Sequence, residues 1–402
     1  MAQSILISGG GVAGLTLAYW LVRAGVKPVI VESSPQLRTG GYMIDFWGVG
    51  YTVAERMGLC ADLHRLGYDI REIRLLDEVG HSEAVLSTDS LREALGGRYV
   101  SLLRGDLVWE LYAALEDSAE IIFGDRVTTL RRCDHGVLAE FERQPARVFD
   151  AVVGADGIHS NVRELAFGAQ TGFVRSLGYW AAAFTAEGYE HRDPGVYLSR
   201  TVPGRQVVRC TLRGTSSVFF IVLADEVMNN RLIGSPQDAR GFLAEALSGM
   251  GWEVPAIIAA LERSEDLYFD SVCQIRMPTW STGPIVLLGD AAYCPSLLAG
   301  EGASFAMAGA YVLAGELAAS GGEPERAFRA YERHLKAFMD RKQRSALRLG
   351  GWFAPRTRLG LVIRNQLTRL AGIPGASNLL LKPMVADRLS LPSYPWSIGL
   401  VT

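Results

Sequence analysis

Gly9-Gly10-Gly11-Val12-Ala13-Gly14 is the first stretch whose residue types and spacing can do chemistry. It follows the apolar run Ser4-Ile5-Leu6-Ile7-Ser8, which has the composition of a buried parallel strand. It leads into Leu15-Thr16-Leu17-Ala18-Tyr19-Trp20-Leu21, which reads as a helix, and a second apolar strand, Val29-Ile30-Val31, ends in Glu32. The unit is strand–helix–strand with G-x-G-x-x-G at Gly9, Gly11 and Gly14, and an acid 18 positions after the last glycine. Gly9 permits the tight turn, Gly11 lets backbone amides approach a pyrophosphate, and Gly14 allows close packing of helix on sheet. The helix N-terminus, at Val12 and Ala13, offers unsatisfied N–H groups and partial positive charge to phosphates. Glu32 can accept hydrogen bonds from a ribose diol. Taken alone, this unit does not separate FAD from NAD.

Two further segments carry similar chemistry. Val148 to Gly154 reads as a strand followed by Ala155-Asp156-Gly157, and Pro284-Ile285-Val286-Leu287-Leu288 reads as a strand running into Gly289-Asp290-Ala291-Ala292. Ala299-Gly300-Glu301-Gly302 then opens a helix rich in small residues. With these three motifs in this order, the chain resembles the group A FAD-dependent aromatic monooxygenases, the para-hydroxybenzoate hydroxylase family, over essentially its whole length. The segment Gly40-Gly41-Tyr42-Met43-Ile44-Asp45 adds a local similarity to the tetracycline-inactivating monooxygenases of that family.

The resemblance implies an α/β fold: a Rossmann-like FAD-binding domain of the glutathione-reductase type, an inserted antiparallel-sheet substrate domain, and C-terminal helices. It implies FAD as cofactor, NAD(P)H as transient co-substrate, and a hydroxylase that transfers one oxygen atom from O2 through a flavin C4a-hydroperoxide to an aromatic or polycyclic small molecule. The residues expected at the cofactor are Gly9, Gly11, Val12, Ala13, Gly14, Glu32, Ser33, Arg38, Asp45, Arg104, Asp156, Gly289, Asp290, Gly300, Gly302 and Ala303. Asp290 matches the acid that binds a ribityl hydroxyl, Arg104 an arginine that contacts the cofactor from a neighbouring helix, and Arg38 the arginine of a loop beside flavin and nicotinamide. The helix from Gly302 directs its first amides at the flavin pyrimidine ring, where negative charge develops on reduction. The pattern departs from the family at Tyr293, where His is frequent, at Leu297 in place of a second proline, at Glu301, and at Ser33 after Glu32. No catalytic side chain is named, and no second G-x-G-x-x-G marks a separate nicotinamide domain.

Around these motifs the chain divides into FAD-binding segments at 1–70, 96–172 and 273–348, substrate-domain segments at 71–95 and 173–272, and a helical tail at 349–402. In the middle, Val208, Cys210 and Leu212 alternate with Arg209, Thr211 and Arg213, as in a strand. Arg209, Arg213, Tyr179 and Trp180 are candidate pocket residues, with ordinary sheet surface or core as the bland alternative. Near the tail, Leu359, Val362, Ile363, Leu367 and Leu370 recur at helical spacing opposite Arg358, Arg364 and Arg369. That helix is expected to bridge the lobes and wall the pocket, or else to touch a membrane surface.

Composition excludes several classes. The 402 residues are 49% hydrophobic and 21% charged with net charge −3, so no basic field invites nucleic acid. The five cysteines lack metal-ligand spacing and read as free thiols of a reducing, cytoplasmic compartment. The uncharged run 302–315 is short of the roughly 20 residues of a membrane span and reads as a buried helix. A monomer or homodimer is expected. No two tryptophans are two apart, which removes the Trp-x-Trp signature of flavin halogenases. A non-oxygenating dehydrogenase on the same scaffold, a silent flavin or ligand binder, and an NAD dehydrogenase using Gly9–Gly14 remain as alternatives.

Overall fold

The computed structural model describes residues 4–37, 41–229, 231, 233–347, 349–372 and 389–396. Its first layer is a six-stranded sheet in the order Ser281–Thr282, Ile285–Leu287, Ala151–Gly154, Ser4–Ser8, Lys27–Glu32, Glu120–Phe123. All pairs are parallel except that of the outermost hairpin. Ile5 therefore lies between Ala151 and Pro28, and the three motif-bearing strands are neighbours. Strands this apolar need cover on both faces. The Val12–Arg23 helix supplies part of it, and packs on the Gly302–Ala319 helix.

Gly302–Ala319 is apolar all round and runs through the interior, as such a helix must. Its 18 residues meet the length and hydropathy of a membrane span, yet 72% of them are buried inside the protein. Small residues set its close contacts. A side-chain carbon on Gly50, in the Gly48–Met57 helix, would lie 2.3 Å from Ser304 Cα.

One apolar run read as a single strand is two. Arg147–Phe149 joins a three-stranded antiparallel sheet and Ala151–Gly154 joins the parallel one. The chain switches sheets at Asp150, whose Oδ2 accepts the Ser4 N–H at 2.7 Å.

The second layer is a seven-stranded sheet in the order Leu267–Ile275, Val174–Ala186, Ser217–Ala224, Arg205–Thr211, Val196–Val202, Glu72–Leu76, Ser82–Ser87. Side chains alternate across it. Phe184, Phe219, Ile221 and Leu223 pack under the helices Pro236–Leu247 and Val254–Arg263. On the opposite face, Ala181, Val222 and Val272 meet Leu298 of the first layer. A two-stranded ribbon, Met43–Trp47 with Tyr99–Leu103, lies between the layers.

The Arg358–Ala371 helix begins beside the hairpin tip, where Gly204 donates its N–H to Pro355 O at 2.8 Å. It crosses Val196–Val202 and ends at Ser82–Ser87, with Arg369 Nε donating to Glu83 O at 2.6 Å. Its orientation differs from a simple amphipathic reading. Arg364 and Thr368 face inward and are buried, whereas Leu359, Val362, Ile363, Leu367 and Leu370 are exposed. Hydrogen bonds from the polar side to Glu83, also reached by Asn365 Nδ2 at 2.6 Å, decide which face packs.

Candidate functional site

The turn after Ser4–Ser8 is built on contacts no side chain would survive. Gly9 has φ +111°, and a carbon added there would lie 2.5 Å from Ala155 O; one on Gly14 would lie 2.0 Å from Gly9 O. Gly11 is different, because a carbon on it would meet only Arg104 Nη2, at 3.8 Å. Open space therefore borders Gly11, with a guanidinium on its far side. The Val12–Arg23 helix carries no side-chain cap, so the first-turn amides at Val12 and Ala13 keep their capacity for a ligand. At the end of Lys27–Glu32, Glu32 Oε2 accepts the Gly10 N–H at 2.8 Å, and its Oε1 accepts from Ser34 N at 2.8 Å and Ser33 Oγ at 3.3 Å.

The downstream motif closes on the same space. Gly289 has φ +66°, and a carbon on it would be 3.1 Å from Ala13 Cβ. Asp290 follows in the first turn of Asp290–Tyr293; burial raises its carboxyl pKa and the Arg104 guanidinium pulls it back down. Gly302 faces it, a carbon there falling 3.7 Å from Asp290 Oδ1. The Gly302–Ala319 helix, opening with Gly302 and Ala303, also lacks a side-chain cap. Gly300, φ +70°, turns the chain against Trp47. Two uncapped helix ends, a cation and a buried acid thus surround one space. That donor set fits an adenine dinucleotide, with anion-binding amides, a counter-charge and carboxylates for hydroxyls.

Asp156 is placed directly behind Gly9, and its carboxylate is occupied by Ser8 Oγ at 3.4 Å, by Val162 N at 3.0 Å and by Ser160 Oγ. It ties its loop to the start of the Asn161–Phe167 helix. Arg38 lies outside the described residues. Asp45 sits in the interlayer ribbon, where Oδ1 accepts from Tyr99 OH at 2.6 Å, Ser101 Oγ at 2.5 Å and Tyr197 OH at 3.5 Å; burial raises its pKa.

His159, next to the Asp156-Gly157 turn, joins the two layers through Asp270 Oδ2 at 2.7 Å. This hydrogen bond raises its pKa above 6.5. The stabilisation is complete below the unfolded-state value and fades as pH rises through the folded-state one. The ring is 66% exposed, so the effect is small. Between pH 6 and 8 the wild type is expected to lose no more than about 1 °C of Tm from this pair, a loss absent in His159→Gln; parallel melting curves would refute it.

The middle-domain candidates divide. Arg209 points away from the site, ion-paired to Asp193 at 2.6 Å and Glu253 at 3.2 Å under the helices, and Trp180 stacks on Phe269 on that same side. Arg213 donates to the carbonyls of Leu66 and Gly67. These three serve the sheet and its edges, because strand alternation or edge position turns them from the cofactor side. Tyr179 alone lies on the site face, in the cluster with Leu298 and Ala354. Tyr293, at the departure from the family pattern, is buried; its OH donates to Phe305 O at 3.5 Å and accepts from Tyr331 OH at 3.3 Å.

Sequence reading missed the walls of the cleft. Tyr42 meets Phe220 at 6.1 Å and Tyr268 at 5.9 Å between ring centroids, close enough to Arg104 and Asp290 for both to act on its hydroxyl. Leu298 and Val222 are buried behind these rings, with Leu297 packed against them. Only the adjacency of Tyr42 to Gly41 hinted at this; the rest depends on register.

A family model described as FAD binding domain matches residues 2–344. An uncharacterised protein of Mycobacterium tuberculosis (strain ATCC 25618 / H37Rv) is 37% identical over 351 residues, covering 85% of this chain and 92% of its own. A flavin-dependent monooxygenase from Legionella longbeachae (serogroup 1, strain NSW150) is 30% identical over 400 residues, covering 97% and 98%. The crystal structure of tetracycline destructase Tet(51) superposes with TM-score 0.83 at 27% identity, covering 98% of this chain and all of that one. Klebsiella pneumoniae HpxO, complexed with FAD and uric acid, shares the fold at TM-score 0.75 and 22% identity, covering 91% of this chain and 92% of its own. Two glycine- and acid-bearing turns bordering one space, a third bracing them from behind, and a family match from residue 2 to 344 agree: the chain belongs to the FAD binding domain family, as an FAD-dependent monooxygenase.

Proposed function

We propose that the enzyme hydroxylates an aromatic or polycyclic small molecule held between the flavin side of the first layer and the inner face of the seven-stranded sheet. The observation that carries this is the group of three part-exposed rings, Tyr42, Phe220 and Tyr268, beside Asp290 and backed by the buried apolar Val222 and Leu298. A planar apolar substrate removes this surface from water and stacks on the rings. The resemblance of the fold to a tetracycline destructase supports including tetracyclines among the compounds tested.

In this reading FAD, when bound, supplies the redox chemistry and oxygen activation, with NAD(P)H as reductant. The chain's residues position and shield. Gly11, Val12 and Ala13 offer amides to the pyrophosphate beside the Arg104 cation, and Glu32, with Ser33 next to it, faces the ribose. Asp290 holds a ribityl hydroxyl, and Gly300, Gly302 and Ala303 present the helix end to the flavin ring, stabilising negative charge there. Gly9, Gly14 and Gly289 permit the approach, Asp156 braces the turn from behind, and Asp45 orders the wall beside Tyr197. Tyr42, Tyr268 and Phe220 exclude water from the reacting side. The five free thiols support a reducing, cytoplasmic setting.

The test is turnover of a phenolic and polycyclic panel with NADPH under 18O2. The expected product carries one labelled oxygen. Product without label identifies a dehydrogenase, and NADPH oxidation that no compound stimulates identifies a binder.

A further inference from the structure

The Gly302–Ala319 helix brings to the flavin end a charge that the chemistry there does not favour. Its N-cap residue is Glu301, an acid at one of the positions that depart from the family pattern. The first bond inside the helix runs from Phe305 N–H to Glu301 O at 3.0 Å, so the amides of Gly302, Ala303 and Ser304 precede it. Those amides, with the partial positive charge of the helix end, face the flavin ring in the cofactor reading. The ring gains negative charge on reduction. An N-cap carboxylate is drawn to the same amides and the same positive end. Left to itself, Glu301 would compete with the flavin for them and repel its reduced form.

The fold takes the acid elsewhere. Glu301 makes no side-chain cap hydrogen bond to its own helix, and its Oε1 accepts from Lys342 Nζ at 2.5 Å. The Lys342 and Glu301 side chains are only 15% and 14% exposed, so solvent and salt screen the pair poorly. Lys342 lies on the Pro324–Ala346 helix, which packs along Gly302–Ala319. Its ammonium sits 5.4 Å from the ring centre of Phe305 and 5.7 Å from that of Phe338. The next residue, Gln343, is fixed by donating to Ile275 O at 2.7 Å and Cys294 O at 3.3 Å, and its carbonyl accepts from Gln274 Nε2 at 2.6 Å. Cys294 ends the Asp290–Tyr293 turn of helix. The backbone that carries Lys342 is therefore tied to the turn that carries Asp290.

We propose that Lys342 is a positioning residue for the flavin: it draws the Glu301 carboxylate off the start of Gly302–Ala319 and neutralises it, keeping the first-turn amides open to the pyrimidine ring. Loss of the Lys342 charge then acts on the cofactor through Glu301. The inference goes beyond the substrate reading and rests only on its placement of FAD.

The experiment measures FAD affinity, by titrating the protein freed of cofactor, and the two-electron potential of the FAD-loaded protein. Lys342→Met is expected to weaken oxidised FAD roughly tenfold, the worth of a hydrogen bond to a competing charge. Reduced FAD should weaken about tenfold more, which makes the potential about 30 mV more negative for a two-electron couple. Lys342→Arg keeps the charge and should stay near wild type. Adding Glu301→Gln to Lys342→Met removes the released acid and should return Kd to within about twofold of wild type. An ion pair that only braces the fold would lower Tm in all of these without moving the potential. An unchanged potential in Lys342→Met, or a double variant no better than Lys342→Met, overturns the proposal. Should Lys342→Met not fold, Glu301→Gln alone decides: it should bind FAD at least as tightly as wild type, and a more negative potential overturns the proposal. Ala303→Pro removes one first-turn amide where a helix accepts proline. If it too leaves affinity and potential unchanged, the placement of FAD is wrong and the proposal falls with it. None of these measurements involves turnover, so they hold whichever way the labelled-oxygen test falls.

Discussion

Replacing Gly14 by alanine is expected to yield a colourless, destabilised protein. The added methyl would lie 2.0 Å from Gly9 O, far inside contact distance. The obstacle is backbone of the turn itself, so no rotamer change relieves it. Either the Val12–Arg23 helix lifts off the strand or the turn opens, and in both cases the amides at Gly11 to Ala13 move out of line. Overpacking of this kind costs about 3 kcal/mol. The helix contacts Ile7 and the interior Gly302–Ala319 helix, so the displacement reaches both uncapped helix ends. The check is flavin absorbance of the purified variant together with its melting temperature. Wild-type flavin content in Gly14→Ala would show that the turn does not position the cofactor.

Arg104→Met should lower FAD affinity by roughly 10–100-fold while leaving the fold intact, as expected for loss of one charge-assisted contact. Arg104 heads the Arg104–Ala113 helix, where its N–H is held by Tyr42 O at 3.1 Å, and its guanidinium borders the open side of Gly11. A second consequence follows from charge. Burial raises the Asp290 pKa and Arg104 opposes that rise. Without the cation the carboxyl protonates at a higher pH, so the variant should lose FAD on acidification before the wild type does. Fluorescence titration of FAD from pH 5 to 8 reads both effects. An unchanged Kd, or a pH profile that superposes on the wild type, would place Arg104 outside the site.

Much of the cradle was legible because its constraints are local. A glycine that must have φ +111°, or must let a helix pass over its own turn, is encoded within a few residues and betrays itself by spacing. The three turns were identified singly, and the parallel order of their strands brought them together. The strand break at Asp150 was not legible, since an uninterrupted apolar run hides a change of sheet. Arg209 and Trp180 illustrate the same difficulty, because alternation shows that two faces exist without showing which one faces the cofactor.

The amino-acid order determined the cofactor class, the three segments that hold it and the existence of a second, strand-rich layer, because short-range backbone demands leave a readable imprint. Tertiary structure alone decided that Tyr42, Phe220 and Tyr268 share a wall, that Asp45 gathers three hydroxyls from two other strands, and that Arg364, not its apolar neighbours, turns inward. These depend on register between distant strands and on where a helix is tethered at both ends. Such choices are settled by the sum of many weak contacts across the fold, which no single stretch of chain contains.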